Sequence, residues 1–264
     1  MPASRKAELR PLADEFMFYE IRITLKTLRE EGWGSFMDKL RVYFTDLAAA
    51  SVFFRAQRPN DEPPAVVDFV WNAGKGLIAP AQVKSELSEL LNWMHQRKPP
   101  ETVLEIGTAR GGTLFCWCAM ADTKATVISL DLPQGIHGGG YPYWKTFIYR
   151  RFKKGRQKMS LLRGDSHMPE MLNEVKRILA DRQLDFLFID GDHTLAGVRS
   201  DYEMYSPLVK SGGFIVFHDI CKHPAAMNCH VDEYWSEIKT KGKWLEFVKD
   251  PAQGAFGIGV LLVD

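Results

Sequence analysis

From Thr102 onward, short apolar runs recur between longer amphipathic stretches: TVLEIG from 102, ATVISLD from 125, MSLLRGD from 159, LDFLFIDG from 184, GGFIVFHD from 212, WLEFVKD from 244 and GIGVLLVD from 257. Apolar runs of this length, bounded by turn residues, read as strands buried on both faces. The helical period between them makes them successive βαβ units of a parallel sheet. The pattern predicts a doubly wound, Rossmann-like α/β domain, whose ligands lie beyond the carboxyl ends of the strands. The charged residues placed there are Glu105, Asp131, Asp165, Asp190, His218 and Asp219.

Ahead of that region the period changes. DEFMFYEIRITLKTLREEG (14–32) and SFMDKLRVYFTDLAAASVFFRAQR (35–58) read as two amphipathic helices, set off by the proline-containing PNDEPP. AQVKSELSELLNWMHQR (81–97) is a further helix leading into the first strand. The expected division is an N-terminal helical extension over 1–80 and a sheet domain over 81–264. The extension can pack on the domain, form a homo-oligomer contact or lie on a membrane surface, with packing or dimerisation the default.

Composition narrows the classes. Of 264 residues, 45% are apolar and 25% charged, the balance of a soluble globular chain. A formal net charge of +1 argues against a surface built as a whole to neutralise phosphates, so no nucleic-acid partner is expected. The opening MPASRKAELRPLADEF lacks a secretory pattern, and no run reaches the roughly 18 apolar residues of a membrane span. The expectation is a cytoplasmic protein with no transmembrane segment. Four cysteines, 116, 118, 221 and 229, are too few for a disulfide framework and are expected reduced.

The first strand opens the chemistry. In VLEIGTARGG, Gly107, Gly111 and Gly112 can bring backbone close to a ligand at a helix N-terminus, with Glu105 expected in the same crevice. The spacing G-x-x-x-G-G departs from the dinucleotide fingerprint G-x-G-x-x-G. Asp131, ending the second strand, can accept both hydroxyls of a ribose, which suits NAD and S-adenosylmethionine equally.

Taken together, Glu105-x-Gly107-x-Ala109-x-Gly111, Asp131, RGDS at 163–166, FIDGDH at 188–193 and GGFIVFHD at 212–219 resemble the class I S-adenosylmethionine-dependent methyltransferases over about residues 80–264. The resemblance implies a seven-stranded sheet of order 3-2-1-4-5-7-6 with the last strand antiparallel. It implies a cofactor site of Glu105, Gly107, Thr108, Gly111, Gly112, Asp131, Asp165, Ser166 and Asp190. Gly107 and its neighbours would approach the methionine part, Asp131 the ribose, and Asp165 with Ser166 the adenine. Ala109 stands where many members have glycine.

The ends of FLFI and FIVF are similar to those of the metal-dependent small-molecule O-methyltransferases of the catechol and macrolide-sugar type, and to the cephalosporin-hydroxylase group. That likeness implies Asp190, His218 and Asp219 as metal ligands, magnesium in those enzymes, and His193 as general base. The chemistry is coherent. A divalent cation lowers the pKa of a bound hydroxyl and fixes the line of attack, and an imidazole can take the proton. His218 is unusual for magnesium, which prefers oxygen, so manganese, iron, zinc or no metal remain open.

Other readings stand beside these. Asp190 and Asp192 can simply cap the following helix, His193 and Asp219 can simply line the cofactor pocket, and His218, Cys221, His223, Cys229 and His230 could hold structural zinc, although their spacing matches no C-x₂-C pair. Glycines 138–140, followed by Tyr141, Tyr143 and Trp144, suggest a mobile aromatic lid. Arg150, Arg151, Lys153, Lys154, Arg156 and Lys158 read first as a solvated helix face, against contact with a phosphate, an anionic sugar or RNA. No N/D-P-P-Y/F motif follows a strand, which argues against a nucleobase N-methyltransferase. The expected function is O-methylation of a hydroxylated small molecule or sugar, against a hydroxylase-like metal enzyme or a non-catalytic scaffold.

Overall fold

The computed structural model describes residues 48–133 and 140–264, with helical positions at 32–34, 37, 41, 44 and 45. The chain divides into two compact units, residues 1–57 and 58–264. In the first unit the described positions up to residue 55 are helical and run without a break from 48, with Ala50 and Phe53 buried. The first expected helix lies, up to residue 31, outside the described residues.

All seven apolar runs of the second unit are strands: β1 Thr102–Ile106, β2 Thr126–Asp131, β3 Lys158–Arg163, β4 Leu184–Ile189, β5 Val209–His218, β6 Lys243–Phe247 and β7 Ile258–Leu262. They form one sheet of order β3-β2-β1-β4-β5-β7-β6. β1 to β5 pair in parallel, and β7 runs antiparallel to both β5 and β6. This is the expected Rossmann-like topology with its antiparallel last strand. β1 and β2 are buried at every position, as strands covered by helices on both faces must be, whereas the edge strands β3 and β6 are half-exposed and more polar.

The helices are α1 Pro63–Asn72, α2 Lys84–His95, α3 Gly112–Met120, α4 Lys145–Tyr149, α5 Pro169–Leu179, α6 Leu195–Tyr205 and α7 Val231–Ile238. Side chains alternate across a strand, so each strand feeds two cores. Leu104, Ile106, Leu187 and Ile189 join a cluster with Val175 and Leu179 of α5, Val198 and Tyr205 of α6, and Tyr234 and Trp235 of α7. Phe186 and Phe188 point the other way, to Trp117 of α3, at ring separations of 4.8 and 5.0 Å. Burying each such aromatic contributes roughly 1.5–3 kcal/mol. Cys116 and Cys118 are free thiols in the same buried helix. No helix of the described residues is long and apolar enough to cross a membrane.

Candidate functional site

The carboxyl ends of β1 to β5 open into a cavity of about 630 Å³. Gly107, Asp131, Asp165 and Ser166 line one part of it, and Asp190, His193, His218 and Asp219 line another. Glu105, Thr108, Gly111 and Gly112 do not.

Strand parity explains Glu105. It shares a face with the aromatic core, so it turns beneath α3, fully buried, and accepts a hydrogen bond from Trp117 Nε1 at 2.8 Å. Burial outweighs the hydrogen bonds from Thr113, Thr108 and Trp117 and pushes its carboxyl up to about 8. Thr108 pairs its hydroxyl with Ser129 at 2.6 Å behind the turn. Gly111 and Gly112 are there for close packing: a Cβ on Gly111 would sit 2.5 Å from the Tyr149 ring, and one on Gly112 would sit 2.3 Å from the Ile78 carbonyl oxygen.

Gly107 is the hinge of the turn. Its φ of +87° belongs to the left-handed region, and a Cβ there would lie 1.9 Å from the Asp190 carbonyl oxygen. Ala109 takes φ +44° without being glycine. Two bonds hold it: its N–H donates to Asp131 Oδ2 at 2.9 Å, and its carbonyl accepts from Tyr149 Oη at 2.9 Å. The alanine thus reproduces the turn that glycine makes more easily. Asp131 also accepts from the Gly140 N–H at 3.1 Å, and burial raises its carboxyl to about 6 in spite of these donors.

Around Asp165 and Ser166, His167 N–H donates to Asp165 Oδ1 at 2.9 Å, and Tyr205 Oη donates to the Ser166 carbonyl at 2.8 Å. His167 also lines the cavity. Its Nε2 lies 3.4 Å from fully buried Asp201, and that pairing pushes the imidazole up to about 9. The sequence signal for His167 was its place directly after RGDS.

Asp190, His193, His218 and Asp219 are brought together. His218 Nδ1 is 3.1 Å from Asp190 Oδ1 and 3.2 Å from Asp219 Oδ2, while His193 is 3.4 Å from the same two carboxylate oxygens, through Nε2 and Nδ1 respectively. Gln82 Nε2 donates to Asp190 Oδ2 at 2.9 Å, and His223 Nε2 lies 3.1 Å from Asp219 Oδ1. Burial opposes protonation of both imidazoles, but the two carboxylates win. His193, which also bonds Cys229, is pushed up to about 11, and His218 up to about 10. The same pairing holds Asp190 and Asp219 below the usual carboxylate range against burial, which pulls the other way.

Helix capping is done by neighbours. Thr194 is the N-cap of α6, accepting from the Gly197 N–H at 3.0 Å, and Asp192 accepts from the Thr194 N–H at 2.9 Å. Asp190 takes neither role and faces the cavity.

The donor set fits a divalent ion. One nitrogen and two carboxylate oxygens, from Asp190, His218 and Asp219, lie within 4.8 Å of one another, and His218 Nε2 is buried without a hydrogen-bond partner. A nitrogen donor favours manganese, iron or zinc over magnesium. For the cofactor, the cavity supplies a backbone turn, a carboxylate at the end of β2 and a polar loop after β3.

Some expectations meet a different geometry. Tyr141 is buried against Tyr149 at 4.7 Å beneath Arg163, and none of Tyr141, Tyr143 and Trp144 lines the cavity. Glycines 138 and 139 lie outside the described residues. Most of the basic run lies in the α4–β3 connection rather than on a helix face, with Lys154 paired to Asp61. Of the cysteine–histidine segment, His218, His223 and Cys229 line the cavity, while His230 is half-buried and pairs with Glu233.

Comparison with known proteins agrees with this architecture. Residues 104–220 match a family model, Methyltransf_24, described as a methyltransferase domain. The uncharacterized protein y4gI of Sinorhizobium fredii (strain NBRC 101917 / NGR234) is 25% identical over 169 residues, 63% of this chain. The match spans only 18% of that protein's length. Among solved structures, the O-methyltransferase from Bacillus cereus in complex with SAH aligns with a TM-score of 0.53 at 16% identity, covering 78% of this chain and 92% of that one. The O-methyltransferase TomG from Streptomyces achromogenes, in complex with SAM, aligns at 0.51 and 12% identity, covering 86% and 96%. The matched segment begins in β1 and ends just past Asp219, enclosing every strand end that forms the cavity from Gly107 to Asp219. Residues 104–220 thus match a methyltransferase domain, and the second unit of this chain has the Rossmann-like fold of these methyltransferases.

Proposed function

We propose that the chain transfers a methyl group from S-adenosylmethionine to a hydroxyl of a small molecule or sugar, with a divalent metal ion at Asp190, His218 and Asp219. The observation that carries this reading is the convergence of those three residues and His193 in the same cavity as the Gly107 turn and Asp131. Two of the solved relatives named above are O-methyltransferases with SAH or SAM bound, which supports the reading.

S-adenosylmethionine, when bound, supplies an electrophilic methyl group. Gly107 and Ala109 offer backbone toward its methionine end, Asp131 accepts from ribose hydroxyls, and Asp165 with Ser166 meets the adenine. Glu105, Thr108, Gly111 and Gly112 act from behind, by holding the turn. With a cation neutralising Asp190 and Asp219, His193 can give up the proton it now holds and receive the acceptor's hydroxyl proton, oriented by the same two carboxylates. A divalent cation, when bound, takes over the charge neutralisation that the imidazoles now provide and acidifies a bound hydroxyl. Gln82 and His223 hold the outer oxygens of the two carboxylates, a positioning role.

The test is calorimetric titration of SAM and SAH into chelator-treated protein, repeated with magnesium, manganese and zinc. The reading expects roughly micromolar SAH binding, weakened at least about tenfold in Asp131→Ala, and a separate metal isotherm lost in Asp190→Ala. Failure to bind either nucleotide overturns it. Nucleotide binding without any metal isotherm overturns the metal-assisted reading, because His193, held protonated by Asp190 and Asp219, then has no lone pair to take a proton.

A further inference from the structure

Beside the three proposed ligands lies a second convergence, which shares Asp219 and adds His193 and Cys229. His193 comes from the turn after β4, Asp219 from the end of β5, and Cys229 from the stretch before α7. One donor atom of each lies within 4.8 Å of the others, and all three residues line the cavity. His193 Nδ1 is 3.4 Å from Asp219 Oδ2. The Cys229 segment is fixed against His193, because the next residue, His230, donates its N–H to the His193 carbonyl at 2.8 Å. Cys229 and Asp219 are buried.

The other oxygen of Asp219 is already held. His223 Nε2 sits 3.1 Å from Oδ1, and His223 Nδ1 donates to the Cys221 carbonyl at 2.8 Å, which fixes the ring. Asp219 Oδ2 is thereby presented toward His193, the kind of outer support that orients metal-binding carboxylates. A thiolate, an imidazole and a carboxylate together make a donor set for zinc or a similar borderline ion and a poor one for magnesium. Three protein ligands leave one tetrahedral position open toward the cavity.

We propose that His193, Asp219 and Cys229 form a zinc-class site distinct from the Asp190, His218 and Asp219 position, and that filling it withdraws His193 from proton transfer. Asp219 Oδ2 is 3.2 Å from His218 Nδ1 and 3.4 Å from His193 Nδ1, so a single oxygen serves both sets and the two ions compete for it. Binding releases the protons of the Cys229 thiol and the His193 imidazolium and leaves the imidazole lone pair of His193 on the ion. Zinc here opposes the proposed methyl transfer instead of assisting it; that regulatory meaning rests on the function proposed above, while the site rests on its own geometry.

Cobalt(II) reports the thiolate directly. Titrated into the chelator-treated full-length protein, it is expected to give a thiolate-to-cobalt charge-transfer band that zinc bleaches, that Cys229→Ser and Cys229→Ala both lack, and that Asp190→Ala keeps. Cobalt binding without that band in the unaltered protein, or no cobalt binding at all, overturns the site. A band that survives both Cys229 variants assigns the thiolate elsewhere and also overturns it. SAH titration in the same samples separates the two readings: absence of SAH binding with the band intact sinks the methyltransferase function and leaves the zinc site standing.

Discussion

Glu105 and Asp219 are both carboxylates buried at strand ends of one sheet, and their surroundings drive them in opposite directions. Glu105, at the end of β1, meets only hydroxyls and an indole N–H, and burial pushes it up to about 8. Asp219, after β5, is buried as well, yet the imidazoles of His218, His223 and His193 hold it below the ordinary carboxylate range. Burial is common to both; cationic partners are not. The region after β1 to β3 is organised as shaped backbone, with single carboxylates facing N–H groups. The region after β4 and β5 is organised as charge, with side chains gathered from four parts of the chain.

The largest expected effect joins the two regions. Gly107 belongs to the backbone-built end, but a Cβ there collides with the Asp190 carbonyl at the charged end. Gly107→Ala is expected to cost about 3–4 kcal/mol, from left-handed strain plus displacement of packed backbone, and to lower SAH and metal binding together. Urea unfolding and the two titrations measure this. A variant that loses one ligand and keeps the other shows that the ends are mechanically separate.

Next in size is the uncompensated charge of Glu105. Its folded pKa, about 8, lies above the ordinary value of 4.5, so between those values the folded protein holds a proton that the unfolded chain has lost. Folding stability attributable to Glu105 therefore falls as pH rises from about 4.5 to about 8. Glu105→Gln keeps the shape and removes the ionisation. It is expected to gain on the order of 2–4 kcal/mol relative to the parent above pH 8. The gain should vanish near pH 4.5. Urea midpoints across that range decide it; an equal pH slope in parent and variant would show that the carboxylate is compensated after all.

The same contrast explains what could be read from the sequence. Elements carried by local order were legible: seven apolar runs became seven strands, and the glycine turn, Asp131 and the acids ending β4 and β5 fell where strand ends must fall. The charged end was legible only in its first members. Gln82 reaches Asp190 across 108 positions, and Cys229 reaches His193 from before α7, so no spacing rule connects them. Glu105 was misplaced by proximity in sequence: alternating with Leu104 and Ile106 and level with Phe188, it lies on the face beneath α3, away from the crevice. The segment from His218 to His230 carried the residue types of a zinc site without its spacing, and folding splits it and pairs members with His193 and Asp190.

The smallest effect probes whether the backbone-built end leans on side chains at all. Tyr205, buried in α6 one turn beyond Asp201, donates its hydroxyl to the Ser166 carbonyl at 2.8 Å and so props the loop after β3. Tyr205→Phe leaves the ring packed in its cluster and removes only that bond. Because Ser166 is half-exposed, water can satisfy its carbonyl, and the expected cost is about 1 kcal/mol in stability, with at most about a fivefold loss of SAH affinity. Metal isotherms should not change. If SAH affinity falls a hundredfold while the metal isotherm holds, the loop after β3 depends on that one phenol, and the division between a backbone-built end and a side-chain-built end fails at its weakest point.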